Sequence, residues 1–380
     1  MSDKKILHVV NVYFVIPYFL GNQLLYFKDR GYKEHIICSP SDEIEEYSKQ
    51  KGFSYLEVSI KREISLISDF KAVLRTYRYI KKNKIDVVVG HTPKGALIAM
   101  IAAYLAKVPN KIYFRHGLVY ETSKGIKRSI LKNIDRLTSY LSNNIICVSP
   151  SVLKRSVEDK LSSISKQTIL HLGTCNGIDI KHYDPLSLNS SILESLKNKC
   201  NIADEFVIGY VGRLVKDKGV IELVDAFTKF NKQFINSRLL LVGMLEKRDA
   251  LPTKTILEIE TNKNIVATGY INNCDIVNYY GLFDLFILPS YREGFPTVVL
   301  EASAMQLPVI TTKATGCVDS IIDNVTGLFV NHSSMSIYDA VKYLYDNPIK
   351  CQEMGIKGRE FVSANFQQSV IWNEIHKLYS

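Results

Sequence analysis

The stretch Tyr291–Leu307 reads Y-R-E-G-F-P-T-V-V-L-E-A-S-A-M-Q-L and decides the fold. It follows the apolar run 282–288, which is typical of a buried strand. Gly294 then allows a sharp turn. Pro296 suits the first residue of a helix, where its missing N–H costs nothing, and the helix is expected to run to Leu307. The sequence therefore predicts a strand, a tight loop and a helix whose N-terminal amides point at the loop.

This arrangement suits a nucleotide diphosphate. The backbone N–H groups of residues 295–298 could hold its phosphates, because a helix N-terminus attracts anions. Glu301, one turn inside the helix, is placed to accept hydrogen bonds from the ribose hydroxyls. Glu293 would then face whatever lies beyond the diphosphate. The alternative interpretation is a helix N-terminus with an ordinary acidic first turn, which is common in proteins.

Length and cysteine usage limit the class of protein. A chain of 380 residues is too long for one typical core and predicts two domains. Its seven cysteines contain no C-x-x-C pair, which argues against a metal knuckle and against a secreted disulfide framework. The segment 6–20 superficially resembles a signal peptide but contains polar residues and Pro17. We therefore expect a cytoplasmic protein without a transmembrane helix.

Positive charge is concentrated in the first half of the chain. Residues 1–200 contain 31 Lys and Arg against 18 Asp and Glu, whereas residues 201–380 contain 17 against 20. Two clusters, 71–84 and 124–136, combine cations with apolar residues at helical spacing. They are interpreted either as solvated helix faces or as a surface that docks on anionic lipid. Nucleic acid is not expected as a partner, because no recognised binding motif accompanies the charge.

Strand-like and helix-like segments alternate along the whole chain. Examples are a helix expected over 21–30 and a strand expected over 169–172. The region 173–191 is rich in turn residues and resembles a hinge, and the alternation restarts at Phe206. Alternation with short connections predicts an α/β fold of two doubly wound, Rossmann-like domains. Such a pair would bind a ligand in the cleft between the domains.

Several polar residues follow predicted strands, where ligands of parallel sheets bind. Arg213 and Lys218 lie in G-R-L-V-K-D-K-G at 212–219 and could meet the same diphosphate, unless they are solvated loop charges. His116 could orient a sugar or take part in proton transfer, unless it is a structural histidine. Gly21 could bring backbone close to the diphosphate. The residues predicted to line an acceptor pocket are His91, Thr92 and Lys94.

No metal site is predicted. The sequence contains no D-x-D, H-E-x-x-H or G-x-S-x-G, and no pair of carboxylates suited to Mg²⁺ or Mn²⁺ is visible. A leaving diphosphate would then be stabilised by Arg213, Lys218 and helix N-termini.

The motifs together resemble glycosyltransferase family 4, whose members have the GT-B fold. Within that family the chain is most similar to the bacterial capsular and O-antigen polysaccharide transferases. The most specific motif is E-x7-E, Glu293 to Glu301. The supporting motifs are G-R-L-V-K-D-K-G at 212–219, R-H-G at 115–117, V-S-P-S at 148–151, N-G-I-D at 176–179 and H-T-P-K-G at 91–95.

The resemblance implies roles for these residues. Arg213 and Lys218 bind the donor diphosphate, Glu301 binds the ribose, and His116 and Glu293 contact the sugar. The segment 269–271 contacts the base. The resemblance, together with the residues that follow predicted strands, predicts four catalytic residues: His116, Glu293, Arg213 and Lys218. The predicted donor-binding residues are Gly21, Arg213, Lys218, Tyr270, Ile271, Glu293, Gly294, Phe295, Pro296, Thr297, Val298 and Glu301.

The resemblance also implies the domains and the reaction. Residues 1–180 with a returning helix at 361–380 would bind the acceptor, and residues 181–360 would bind the donor. We expect a retaining, metal-independent enzyme without a cofactor. It would move a sugar from a UDP-sugar to a polyprenyl-diphosphate-linked saccharide. The sugar favoured by the resemblance is N-acetylhexosamine. The enzyme would act at the inner face of the cytoplasmic membrane, in the synthesis of capsule or O-antigen.

Two other functions fit the same fold. One is a sugar-nucleotide epimerase, and the other is a non-catalytic subunit that binds a nucleotide sugar. The full E-x7-E motif with its preceding loop argues against the first, and the intact set of charged residues argues against the second. One departure from the family is the first loop, which reads Leu20–Gly21–Asn22 where many members carry two glycines.

Overall fold

A computed structural model describes residues 3–61, 63, 65–247 and 249–379 of the chain. They divide into two compact units. The first unit extends to Gly177 and regains the segment from Gln368 onward, and the second is Ile178–Gln367. The division falls three residues before the predicted position 180. The segment that returns to the first unit begins at 368, and residues 361–367 belong to the second unit.

The first unit is built on a parallel sheet of seven strands in the order β3-β2-β1-β4-β5-β6-β7. Apolar clusters pack on the sheet, so its central strands are buried on both faces. The strands are β1 Lys5–Val9, β2 Lys33–Cys38, β3 Ser54–Glu57, β4 Val87–Gly90, β5 Asn110–Arg115, β6 Asn144–Cys147 and β7 Gln167–Thr168. The helices between them are α1 Val15–Phe19, α2 Gln23–Lys28, α3 Ile44–Lys51, α4 Leu66–Asn83, α5 Pro93–Leu105, α6 Gly125–Leu141 and α7 Pro150–Glu158.

The second unit contains a parallel sheet of six strands in the order β10-β9-β8-β11-β12-β13. A single large apolar core surrounds it. The strands are β8 Phe206–Val211, β9 Ser237–Val242, β10 Ile265–Ala267, β11 Leu285–Leu288, β12 Val309–Thr312 and β13 Gly327–Val330. The helices are α8 Ser190–Lys199, α9 Val220–Gln233, α10 Thr253–Thr261, α11 Ile276–Tyr280, α12 Thr297–Ala304, α13 Ser334–Asp346 and α14 Pro348–Asn365.

The last helix, α15 Gln368–Tyr379, belongs to the first unit. The indole N–H of Trp372 lies 2.9 Å from the side-chain oxygen of Asn176 and 3.1 Å from its carbonyl oxygen. These contacts tie the end of the chain to the last loop of the first unit. The two doubly wound parallel sheets confirm the predicted α/β fold. Among the described residues, every helix is too short or too polar to cross a bilayer.

Three predicted segments differ from the structure. The helix expected over 21–30 is shorter, because Gly21 has a φ of 47° in the turn between α1 and α2. The helix expected from Pro296 to Leu307 ends at Ala304, because Gln306 adopts a left-handed conformation with φ 60°. The strand expected over 169–172 is wrong, since β7 precedes it. The helices α8 and α10 were not predicted.

A buried arginine holds the carboxyl end of β5. The Arg115 side chain is fully buried. Its guanidinium donates at 2.7 Å to Asp135 of α6, to Gln167 of β7 and to Ser139 of α6. A charge taken out of water in this way is tolerated only while its partners remain. The cluster therefore ties α6 and β7 to the strand end that carries His116.

Replacing Asp135 with Ala is expected to lower the free energy of unfolding of the first unit by about 3–5 kcal/mol, because it leaves a buried guanidinium without its counter-charge. Thermal unfolding of the variant measures this loss. The control is Asp225→Ala on the exposed face of α9, for which a change within about 0.5 kcal/mol is expected. Equal stability of the two variants would contradict the role assigned to the cluster.

Candidate active site

Three loops of the second unit come together at the carboxyl edge of its sheet. They follow β8, β11 and β12, which are neighbours in the sheet. The first loop is 212–219, the second is 289–296 and the third is 313–319. In parallel sheets this edge is where ligands bind.

The first two loops approach each other at backbone distance. A Cβ on Gly219 would lie 2.1 Å from the carbonyl oxygen of Pro289, and its φ of 72° is left-handed, so only glycine fits there. The backbone N–H of Tyr291 donates to the Asp217 carbonyl at 2.9 Å. Arg292 also pairs with Asp217 at 3.1 Å. These contacts fix the position of the two loops relative to each other.

The two loops bring together two predicted catalytic residues. Lys218 Nζ lies 2.5 Å from Glu293 Oε1, and both side chains are mostly buried. The pair joins the cation assigned to the diphosphate with the carboxylate assigned to the sugar. Each of the two charges is thus held in place by the other at the edge of the sheet.

The third loop was not predicted as part of the site. The backbone N–H of Glu293 donates to the backbone carbonyl of Thr315 at 2.9 Å. A Cβ on Gly316 would lie 2.5 Å from the carbonyl oxygen of Gly294. This loop therefore supports the backbone of the Glu293–Gly294 turn. A Thr-Gly pair just after a predicted strand is the sequence signal that could have identified it.

Glu301 lies in α12 with only 6% of its surface exposed. Burial raises the pKa of its carboxyl to about 7, against the effect of hydrogen bonds from Tyr280 and Tyr183. The Tyr280 hydroxyl donates to Oε2 at 2.9 Å. The carboxyl group is therefore oriented by tyrosines, neither of which was predicted as a site residue.

The start of α12 is available to an anion. Pro296 is the residue before the helix, and within the described residues no side chain caps it. The predicted residues Thr297 and Val298 form its first turn, and Phe295 packs against Phe366. The first backbone N–H groups of a helix lack partners within the helix and carry partial positive charge.

The remaining predicted donor residues make contacts other than the Lys218–Glu293 ion pair. The Arg213 guanidinium pairs with Glu246 at 3.0 Å and is about half exposed. Tyr270 is exposed and Ile271 packs on the core, in the loop after β10. Gly21 belongs to the first unit, where a Cβ would lie 2.7 Å from the Pro17 carbonyl oxygen. Close packing of the turn thus accounts for a glycine there.

The other predicted residues of the first unit lie after β4 and β5, which are adjacent strands. His116 stacks on Phe19 with ring centres 3.8 Å apart, and burial lowers its pKa to about 3. His91 is 2% exposed and bonds to other histidines through both ring nitrogens. Burial, followed by repulsion from those histidines, lowers the pKa of His91. Both imidazoles are therefore neutral at pH 7.

Thr92 and Lys94 are engaged within the first unit. The Thr92 hydroxyl caps α5 by accepting from the Gly95 N–H at 3.3 Å. Lys94 pairs with Asp69 of α4, and only 11% of the lysine side chain is exposed. Elsewhere, among the described residues, no three His, Cys, Asp or Glu side chains are arranged to hold a metal ion.

Two doubly wound parallel sheets, with an E-x7-E segment at the carboxyl edge of the second, define the GT-B class of glycosyltransferases. Residues 194–361 match the family described as Glycosyl transferases group 1. Residues 5–149 match the family described as Glycosyl transferase 4-like. The capsular polysaccharide biosynthesis glycosyltransferase CapM of Staphylococcus aureus is 32% identical over 381 residues, which cover 100% of this chain and 98% of that protein. This match over the whole chain shows that the chain belongs to the glycosyltransferase family that its motifs predicted.

Two further proteins are similar over most of the chain. The Escherichia coli UDP-Gal:alpha-D-GlcNAc-diphosphoundecaprenol alpha-1,3-galactosyltransferase is 26% identical over 285 residues, or 74% of this chain and 72% of that protein. The crystal structure of Anabaena HepE in complex with UDP and glucose superposes with a TM-score of 0.81 at 18% identity, covering 98% of both chains. The latter likeness concerns the fold alone.

Replacing Glu301 with Gln is expected to stabilise the protein at high pH. A folded pKa of about 7, above the ordinary glutamate value of 4.5, means that Glu301 disfavours folding increasingly as pH rises through that window. Between pH 4 and pH 8 the variant should gain about 3 kcal/mol relative to the native protein. Thermal unfolding across this range measures the gain. Glu360→Gln on the exposed face of α14 is the control, and identical pH profiles for the two variants would contradict the assignment.

Proposed function

We propose that the chain is a retaining glycosyltransferase that moves N-acetylhexosamine from a UDP-sugar to a lipid-linked saccharide in bacterial surface polysaccharide synthesis. The observation that carries the donor site is the Lys218–Glu293 pair beside the start of α12. The relatives support the pathway and the substrates. CapM is named for capsular polysaccharide biosynthesis, and the Escherichia coli enzyme is named for a UDP-sugar and a diphosphoundecaprenol-linked sugar.

In this proposal the second unit binds the donor. The diphosphate lies against the first turn of α12 and takes Lys218 as its cation, which releases Glu293 toward the sugar. Arg213 leaves Glu246 and adds a second cation. Glu301 accepts hydrogen bonds from the ribose hydroxyls, and the loop carrying Tyr270 contacts the base.

The reaction replaces one bond to the anomeric carbon with another. The bond from this carbon to the diphosphate oxygen breaks, and a bond to an acceptor hydroxyl oxygen forms on the same face of the sugar. The leaving diphosphate oxygen takes the hydroxyl proton. Lys218, Arg213 and the helix amides stabilise the charge that develops on the diphosphate, so the mechanism we propose requires no metal ion or cofactor.

The Lys218–Glu293 pair provides a test in which two variants differ in outcome. Lys218→Gln should weaken UDP binding by about tenfold or more, because a charge-assisted contact to phosphate is lost. Glu293→Gln should leave UDP binding unchanged or tighter, since Lys218 is released, but should weaken binding of UDP-N-acetylglucosamine relative to UDP. Calorimetry with both ligands, with and without EDTA, measures these affinities.

The matched control is Lys216→Gln, an exposed lysine of the same loop, which should bind UDP as the native protein does. Unchanged UDP affinity in Lys218→Gln would remove this lysine from the donor site. Loss of binding on addition of EDTA would contradict metal independence.

We also propose that the first unit docks on the inner face of the cytoplasmic membrane. Helices α4 and α6 both pack on α5 and expose large apolar side chains near their first turns. The most exposed are Leu66, Ile67, Phe70 and Ile126. Exposed cations follow on α4: Lys71, Arg75, Arg78, Lys81 and Lys82. Apolar residues at one end of a basic helix suit insertion below anionic headgroups.

Replacing Lys81 and Lys82 with Gln should weaken binding to vesicles of phosphatidylglycerol and phosphatidylcholine by roughly tenfold to thirtyfold, at about 1 kcal/mol for each cation. Replacing Ile67 and Phe70 with Ser should weaken binding at all salt concentrations, because their contribution is apolar. Vesicle flotation measures both effects. Lys197→Gln with Lys199→Gln, on α8 of the second unit, is the control. Flotation equal to that of the native protein in both test variants would exclude this surface.

A further inference from the structure

A buried line of side chains leads from β2 to His116. Glu34 Oε2 lies 3.2 Å from His8 Nε2. His8 Nδ1 lies 3.0 Å from His91 Nε2, and His91 Nδ1 lies 2.9 Å from His116 Nε2. Glu34, His8 and His91 are each at most 4% exposed. The four residues belong to β2, β1 and the ends of β4 and β5, which are neighbours in one sheet.

The hydrogen bonds of this line can run in only two directions. Each nitrogen–nitrogen contact holds one proton, and a neutral imidazole has one N–H and one acceptor nitrogen. If His8 accepts a hydrogen bond at Nδ1, then His91 and His116 both carry their protons on Nε2. If His8 donates from Nδ1, then both carry their protons on Nδ1. The state of the Glu34–His8 pair therefore decides which tautomer His116 adopts.

The surroundings of the pair decide between the two directions. Both carboxylate oxygens of Glu34 are buried and, among the described residues, accept no hydrogen bond, and Oε2 has only the 3.2 Å ion-pair contact with His8 Nε2. A lone negative charge in such a place is costly, whereas a pair that keeps one more proton has no net charge. Because Oε1 has no partner among the described residues, the extra proton lies in the Oε2–Nε2 contact, on Glu34 Oε2 or on His8 Nε2, and in both cases His8 donates from Nδ1.

Neighbouring charges do not change this balance. Lys5 of β1 donates to the Asn83 carbonyl at 2.8 Å, and Lys33 of β2 pairs with Asp3. Tyr379 of α15 packs beside His8, and burial, followed by the charge of Glu34, raises its pKa well above the usual value, so it stays neutral. Tyr32 packs against Tyr379. Lys4, the residue before β1, donates to the Tyr379 carbonyl at 2.9 Å, and within the described residues the only ion-pair contact of Glu34 is the one with His8.

We infer that Glu34, His8 and His91 are positioning residues that hold His116 as the tautomer protonated on Nδ1. His116 then presents an N–H donor, and Phe19 holds the plane of its ring. The ligand atom that meets Nδ1 is an oxygen with a lone pair, on the sugar or the diphosphate of the donor. This role of His116 rests on the proposed function, whereas the tautomer itself does not.

The tautomer can be measured on the free protein. Long-range ¹H–¹⁵N spectra of protein labelled at histidine distinguish a protonated ring nitrogen from an unprotonated one, and His116→Gln assigns the signals. We expect His91 and His116 to be protonated on Nδ1 and unprotonated on Nε2. A His116 protonated on Nε2, or opposite tautomers in His91 and His116, would overturn the inference.

Glu34→Gln tests what sets the tautomer. The neutral amide can accept a hydrogen bond from His8 Nε2 or donate one to it without a charge penalty, so both directions become possible and a mixture of His116 tautomers is expected. The rate constant for sugar transfer should fall about tenfold, as for one lost hydrogen bond. The control is His35→Gln, a buried histidine of the same strand that bonds to Tyr79, which should leave the His116 tautomer unchanged.

An unchanged His116 tautomer in Glu34→Gln would overturn the role of Glu34, even if the activity falls. Failure of the proposed transfer reaction would leave the spectra as they are, because no substrate is needed to record them. The two proposals can therefore fail separately.

Discussion

The close approach of Gly219 to Pro289 is the constraint on which the candidate donor site depends. It requires a residue without a side chain and with a left-handed backbone, directly after the lysine that meets Glu293. Because β8 and β11 are paired in the sheet, the two loops begin side by side. Any side chain at position 219 would push these loops apart and separate Lys218 from Glu293. Gly316 performs the same task on the opposite side of the Glu293 turn.

Charges in the site are held by each other. Lys218 pairs with Glu293, Arg213 with Glu246, and Arg292 with Asp217. A diphosphate that enters such a site replaces existing ion pairs, so the net gain from each contact is smaller than the contact itself. In the proposed function the exchange would also link the two parts of the donor, because the lysine that turns to the phosphates frees the carboxylate that would meet the sugar. Under the proposed function, such an arrangement would favour a nucleotide sugar over a free sugar.

Much of this architecture could be predicted from the sequence, because alternating strands and helices with short connections admit few topologies. Glu293, Lys218 and Arg213 were predicted as site residues because they follow predicted strands, where parallel sheets bind ligands. Their partners could not be predicted, since Glu246 and Thr315 are distant in sequence and carry no motif. The end of α12 was misplaced because the left-handed conformation of Gln306 is decided by tertiary packing, for which glutamine gives no signal.

The histidine line shows a different limit. In the sequence, His8 and Glu34 are polar residues within two strands, and nothing in their spacing connects them to His116. The connection arises because β2, β1, β4 and β5 lie side by side, which places one residue from each strand or strand end in a row. A parallel sheet turns sequence separations of tens of residues into neighbouring positions. A buried carboxylate two strands away can thus set the hydrogen-bonding character of a residue at the sheet edge, and for this reason His116 should be considered together with the strands beneath it.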